Sequence, residues 1–374
     1  MKFIISSGAL LKQLQNISGV LTTNNSLPIL EDFLFEIVEG ELIILASDLD
    51  NTIITRIKAE AQEPGKVAIP AKMLIDSLKS FPEQPLTFII NPDTFGIEIA
   101  SGYGKYKLHG HDPEEFPKIS SIEDGTTFEM DASVLYSGIN KTIFATGNDD
   151  LRPVMSGVLM QVGEDNLTMV ATDSHRLVRY RRNDVKCDSE ASFIIPKKPL
   201  NLLKNLLGYV DGNVGISFNA RNASFSFGQI RLICRLIEGR YPNYDAVIPK
   251  ENPFQLIMTR QDLVSSIRRV AIFSSKSSSQ VKVAIQGSEL TLSAEDPDYA
   301  NSANERLTCQ YNGEDMEISF NAKFISEMLS NLDSERITLN LSAPNRAGIL
   351  LPDSDVQDKE EDLLMLVMPV MSNY

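Results

Sequence analysis

Residues able to do chemistry fall in a few short stretches of the chain. His109-Gly110-His111-Asp112 offers two imidazoles and a carboxylate, yet a zinc-type site needs further ligands at helical or hairpin spacing, and none follows. Thr172-Asp173-Ser174-His175 holds a hydroxyl, an imidazole and a carboxylate, but neighbours along one strand end do not reach relay geometry. Gly102-Tyr103-Gly104 lacks the third glycine of a dinucleotide loop, and no Gly-Lys-Ser/Thr phosphate loop occurs. Cys187, Cys234 and Cys309 are far apart without C-x-x-C spacing, which suits a reducing compartment. No catalytic constellation, metal or cofactor is expected. What remains is the chemistry of charge and of apolar surface.

The charge is unusual. With 35 Lys+Arg against 50 Asp+Glu the formal net charge is −15, which alone argues against nucleic-acid binding. Net charge is a sum, however, and an acidic exterior can coexist with a basic surface elsewhere. The acidic stretch Asp353, Asp355, Asp358, Glu360, Glu361 and Asp362 reads as a solvated loop. Where the basic residues sit depends on the elements that carry them.

Those elements come in threes. A strand-like anchor feeds a helix in each copy: Phe3 with Leu10 and Leu14, Phe128 with Leu135 and Ile139, Leu256 with Leu263 and Ile267, always seven and eleven positions on. A strand ending in Ala-x-Asp follows, at Ala46/Asp48, Ala171/Asp173 and Ala294/Asp296. A second helix is entered at Pro70, Pro196 and Asn321, with Leu74/Leu78, Leu200/Leu203 and Ile325/Leu329 as its buried stripe. Each copy closes at Pro117, Pro242 and Pro369. The second-helix and closing landmarks repeat every 125 to 127 residues, too long for a solenoid unit and right for a whole domain.

The 374-residue chain, 43% hydrophobic and 23% charged, is therefore expected to hold three α+β domains, at 1–120, 127–250 and 252–374. Each should pack an antiparallel sheet against two helices. No apolar run approaches a membrane span and no cleavable leader is visible, so a cytoplasmic protein is expected.

In the first helices, the residue two beyond a buried position projects to the opposite side, and there stand Lys12, Lys141 and Arg269. The second-helix entries carry Lys72, Lys198 and Lys323. Any one of these is ordinarily a solvated residue. Recurrence in three copies points instead to one gathered basic surface.

The opening Met1-Lys2-Phe3, Leu27-Pro28-Ile29-Leu30, Ala171-Thr172-Asp173-Ser174-His175-Arg176-Leu177, Gly239-Arg240-Tyr241-Pro242-Asn243-Tyr244 and Val367-Met368-Pro369 resemble the bacterial β sliding clamps, over the whole chain and in that family's order. The resemblance implies a non-catalytic subunit of a DNA polymerase holoenzyme, a head-to-tail homodimeric ring around duplex DNA with helices lining the hole. DNA would be met by Lys12, Lys72, Lys141, Lys198, Lys204 and Arg269, with Arg268 and Lys323 as further positions. Asn24-Asn25 stand in a loop where some clamps present arginine.

The resemblance also implies a pocket for a short linear motif of the polymerase catalytic subunit, the clamp loader and repair proteins. Matching residues are Arg152, Met155, Thr172, Ser174, His175, Arg176, Leu177, Pro242, Val247, Asn321, Phe324, Ile349, Val367, Met368, Pro369, Val370 and Met371. Leu177, Val247 and Val367 would form its apolar floor, although each reads equally as core. Departures from the family pattern are Ser174, where glycine is usual, and a tail running on through Ser372-Asn373-Tyr374. Tyr106, Leu108, Ile272 and Phe273 match dimer-interface positions, with domain core as the alternative. A competing reading is a three-domain cytosolic enzyme centred on His175 and Arg176, whose site would occupy one copy only.

Overall fold

A computed structural model describes residues 1–22, 27–119, 122, 125–353 and 358–371. The Asn24-Asn25 loop, Asp355 and the Ser372–Tyr374 tail lie outside the described residues. Six α-helices occur among those described: α1 Ser7–Ile17, α2 Ala71–Ser80, α3 Ala132–Thr142, α4 Lys197–Leu207, α5 Arg260–Ala271 and α6 Ala322–Ser330. Each starts where a strand ends, as the anchor spacing predicts. Leu10, Leu14, Leu135, Ile139, Leu263 and Ile267 are all buried. Pro70, Pro196 and Asn321 are each the last residue of a strand before a helix. Asn321 caps α6, its Oδ1 accepting from the backbone N–H of Lys323 at 3.0 Å and of Phe324 at 3.4 Å.

The chain forms two compact units, residues 1–136 with 198–236, and residues 137–197 with 237–374. Strand pairing explains why the division cuts the middle repeat. In the first unit an eight-stranded sheet joins four strands of the first repeat to four of the second, through antiparallel pairing of Asn51–Lys58 with Ile230–Arg235. In the second unit a nine-stranded sheet joins the rest of the second repeat to the third, through Arg176–Arg182 with Glu361–Val367.

One smaller sheet remains in each unit. The first holds five strands and ends on Lys105–His109; the second holds four and ends on Asn301–Thr308. Both terminal strands keep a free edge among the described residues. By position in the repeat, Lys105–His109 corresponds to Ile230–Arg235 and Glu361–Val367, and Asn301–Thr308 to Asn51–Lys58 and Arg176–Arg182. These are the partners of the two sheet joints.

No helix among the described residues is long and apolar enough to cross a membrane.

Candidate partner pocket and nucleic-acid interface

The pocket residues all lie in the second unit, around the turn between strands Leu167–Thr172 and Arg176–Arg182. Asp173 organises that turn: its Oδ1 accepts from the backbone N–H groups of His175 at 2.9 Å and Arg176 at 3.0 Å. Ser174 takes φ +78°, the left-handed region that disfavours side chains and that glycine enters freely. Its hydroxyl accepts from Arg152 Nη1 and lies 3.9 Å from Met155 Sδ. Arg152 is held on its other side by Asp149, Nε donating at 2.8 Å.

Arg176 is buried and held by three hydrogen-bonding partners. Its Nε donates to Asp173 at 3.0 Å, Nη1 pairs with Glu327, and Nη2 donates to the Phe144 carbonyl at 2.6 Å. The guanidinium also lies 4.6 Å from the Phe324 ring centroid and 5.4 Å from that of Phe144. His175, exposed, stacks on Phe324 with centroids 6.1 Å apart. Phe144 and Glu327 are contributors that sequence reasoning missed, since both reach Arg176 from distant segments. An arginine held at all three of its side-chain nitrogens positions its neighbours.

Burial revises the expected apolar floor. Leu177 and Val367 are interior, as are Ile349, Met155 and Thr172. Leu177 belongs to a core cluster with Leu159, Val170, Ile194, Tyr241, Tyr244, Ala347 and Leu366, so it supports the surface from beneath. Of the three floor residues only Val247 is open, at 57% exposure. Met368 and Met371 are also open, at 41% and 65%, and Pro242 is exposed. Phe324, Pro369 and Val370 are partly buried. The closing segment is tied down by its backbone, Met368 N–H donating to the His175 carbonyl and Val370 N–H to that of Ser319, each at 2.8 Å. Asn321 serves chiefly as the α6 cap.

The basic positions divide into two kinds. Lys12 and Lys72 are exposed on α1 and α2, and Lys204 is half-buried on α4; none has an ion pair among the described residues. Lys141, by contrast, is only 12% exposed, its ammonium 2.6 Å from Glu361 and 5.6 Å from the Tyr180 ring centroid. It is a structural ion pair and does not lie on an open helix face. Lys198 pairs with Asp48, and Arg269 with Glu305. Arg268 and Lys323 are exposed.

At the proposed interface positions Ile272 is 77% exposed, Tyr106 and Phe273 are each about 40% exposed, and Leu108 is half-buried, so core packing does not account for them. Tyr106 packs edge-on against Phe81 at 4.9 Å.

The His109–Asp112 stretch is absorbed by structure. His111 Nδ1 lies 2.5 Å from buried Asp32, and Asp112 accepts from the Glu114 N–H at 2.9 Å. The cysteines are buried, and burial pushes the Cys234 thiol up to about 12.

A threefold α+β repeat with half-sheets shared between successive repeats defines the DNA clamp fold. Family comparison agrees: models of the DNA polymerase III beta subunit match as N-terminal domain over residues 1–120, central domain over 129–243 and C-terminal domain over 245–370. The chain is 28% identical to the beta sliding clamp of Pseudomonas aeruginosa over 372 residues, covering 99% of this chain and all of that one. It is 27% identical to that of Vibrio cholerae over 373 residues, with 99% and 100% covered. A crystal structure of the Pseudomonas aeruginosa DNA polymerase III subunit beta bound to griselimycin superposes with a TM-score of 0.93 at 26% identity, each chain covered in full. The chain belongs to the bacterial β sliding clamp family. It is a sliding clamp, a processivity factor of DNA polymerase III and not an enzyme, and the reading centred on His175 and Arg176 falls.

Proposed function

We propose that the chain closes as a head-to-tail homodimeric ring of six domains, divided at 1–120, 127–250 and 252–374, that encircles duplex DNA in the cytoplasm without reading its sequence. One observation carries the proposal: the two leftover sheet edges correspond, in the repeat, to the two partners of each joint already made within the chain. Strand Lys105–His109 of one protomer and strand Asn301–Thr308 of its partner would form that joint a third time. Tyr106 and Leu108 lie on one edge, and Ile272 and Phe273 follow α5, which packs beside the other.

Lys12, Lys72 and Lys204 supply unpaired cations toward the phosphates, with Lys198 and Arg269 also facing them. Such contacts position a duplex without specifying bases. The surface around Val247, Met368, Met371, His175 and Arg152 receives a short peptide, with Gln near its start and Leu and Phe near its end, from the polymerase catalytic subunit, the clamp loader and other partners. Its apolar end lies on Val247 and the two methionines.

The ring reading is tested by replacing Ile272 and Phe273 with aspartate. Sedimentation should show folded monomers, because association would bury charges without partners. An unchanged dimer would refute this interface.

A further inference from the structure

Three of the six basic positions expected to meet DNA already hold a carboxylate of this chain. The Lys141–Glu361 pair is set too deep to exchange partners, both side chains being 12% exposed. In the other two the cation is open to solvent, although Asp48 itself is only 9% exposed. Arg269 is 59% exposed, and its Nε and Nη2 each donate at 2.6 Å to the two oxygens of Glu305, fork to fork. Ser266 Oγ donates to the same carboxylate at 2.7 Å. Lys198 is 41% exposed; its Nζ pairs with Asp48 and lies 3.3 Å from the Val20 carbonyl.

A largely solvated pair such as Arg269 with Glu305 contributes little to folding, so its consequence is better sought in binding. Arg269, and secondly the Ser266 hydroxyl, hold the Glu305 carboxyl down to about 2, so the pair is fully charged at neutral pH. A phosphate approaching Arg269 must displace a carboxylate that is already well placed. The encounter exchanges one anion for another and adds little net attraction. Lys12 and Lys72, exposed on their helices, present no such obstacle.

We propose that Glu305 acts as a built-in counterion for Arg269, and Asp48 as one for Lys198, keeping these cations from binding backbone phosphates tightly. The inference rests on the reading that these helix faces meet the duplex, and it adds a reason for carboxylates beside them. A protein retained by encirclement gains nothing from tight phosphate contacts, which would have to break at every step along the backbone. Charge that attracts DNA in some places and is already answered in others lets the duplex slip.

The test uses Glu305→Gln in the full chain, which keeps the side-chain shape and the acceptor for Ser266. Equilibrium binding to a short linear duplex is measured against NaCl concentration. Binding at low salt should tighten roughly threefold to tenfold, and the slope of log affinity against log salt should steepen by about 0.9 for each arginine freed. In an Arg269→Gln background the same change should have no effect. An unchanged slope overturns the proposal, as does an equal gain in the Arg269→Gln background, which would mean that net charge alone is responsible. Lys12→Glu with Lys72→Glu separates the two layers of the argument. If those variants weaken binding while Glu305→Gln does nothing, only the counterion proposal falls. If they too leave binding unchanged, the DNA-facing reading falls and takes the proposal with it.

Discussion

The two internal sheet joints are copies of one another, yet they are furnished differently. In the first unit, Asn51–Lys58 meets Ile230–Arg235 through buried Asn51, Thr52, Ile53, Leu232, Ile233 and Cys234, and the ion pair at its end, Arg235 with Asp50, is 3.9 Å long and exposed. In the second, Arg176–Arg182 meets Glu361–Val367 with Arg179 on Asp362 at 2.8 Å, Arg182 on Asp358 at 2.6 Å and Lys141 on Glu361 at 2.6 Å. The turns differ by one decisive exchange. The Asn51 side chain, among the described residues, bonds back to Asp48, whereas Arg176 in the corresponding place bonds to Asp173 and also reaches Glu327, Phe144 and Phe324. The repeat builds the sheets; departures from it build the surface proposed to receive a peptide.

Breaking that departure should have the largest effect. Arg176→Ala strips a buried arginine from two carboxylates and a carbonyl, and is expected to cost about 3 kcal/mol by denaturant unfolding. It should also remove peptide binding measured by calorimetry. The corresponding Asn51→Ala, which loses only local bonds to the Asp48 carboxylate, should cost less, about 1 to 2 kcal/mol.

Acid should separate the two units. The backbone N–H of Glu360 and then Arg182 hold Asp358 below its usual range, Arg182 does the same to Asp184, and Glu305 is held at about 2. Groups depressed in this way stabilise the fold above their unfolded values, and the contribution is lost as pH falls through the folded ones. For Glu305 the window runs from 4.5 down to about 2, but solvent screening keeps its contribution small. In the first unit Lys105 lowers Glu98, whereas Asp32 is raised by burial, with His111 opposing, so acidification relieves Asp32. Hydrogen exchange near pH 3 should therefore show residues 137–197 and 237–371 opening first.

The smallest effect sharpens the comparison at the turns. Leu49 and Ser174 hold corresponding positions with φ +83° and +78°. Leu49→Gly relieves an unfavourable backbone at a 56% exposed side chain and should stabilise by about 0.5 kcal/mol. Ser174→Gly gives up the bond to Arg152 and should change stability by about 0 kcal/mol. Thermal melts of the two variants distinguish these outcomes.

The helices and their entries were legible in the sequence because their signals are local: the spacing from Phe3 to Leu10 and Leu14, and Asn321 before α6. The site was legible only in part. Lys12 shows the exposure its helical phase predicts, but Lys141 does not, because its partner Glu361 lies 220 residues away and no spacing rule reaches it. Leu177 and Val367 match family pocket positions, yet strand pairing places them inside. Resemblance names such positions without saying which side of the sheet is open.

Encirclement is tested most directly by retention on DNA circles. Protein loaded onto nicked circular DNA and passed through a sizing column at moderate salt should stay with the circle, and should be lost once a restriction enzyme linearises it, because a ring slides off free ends. Equal loss from circular and linear DNA would contradict the clamp account.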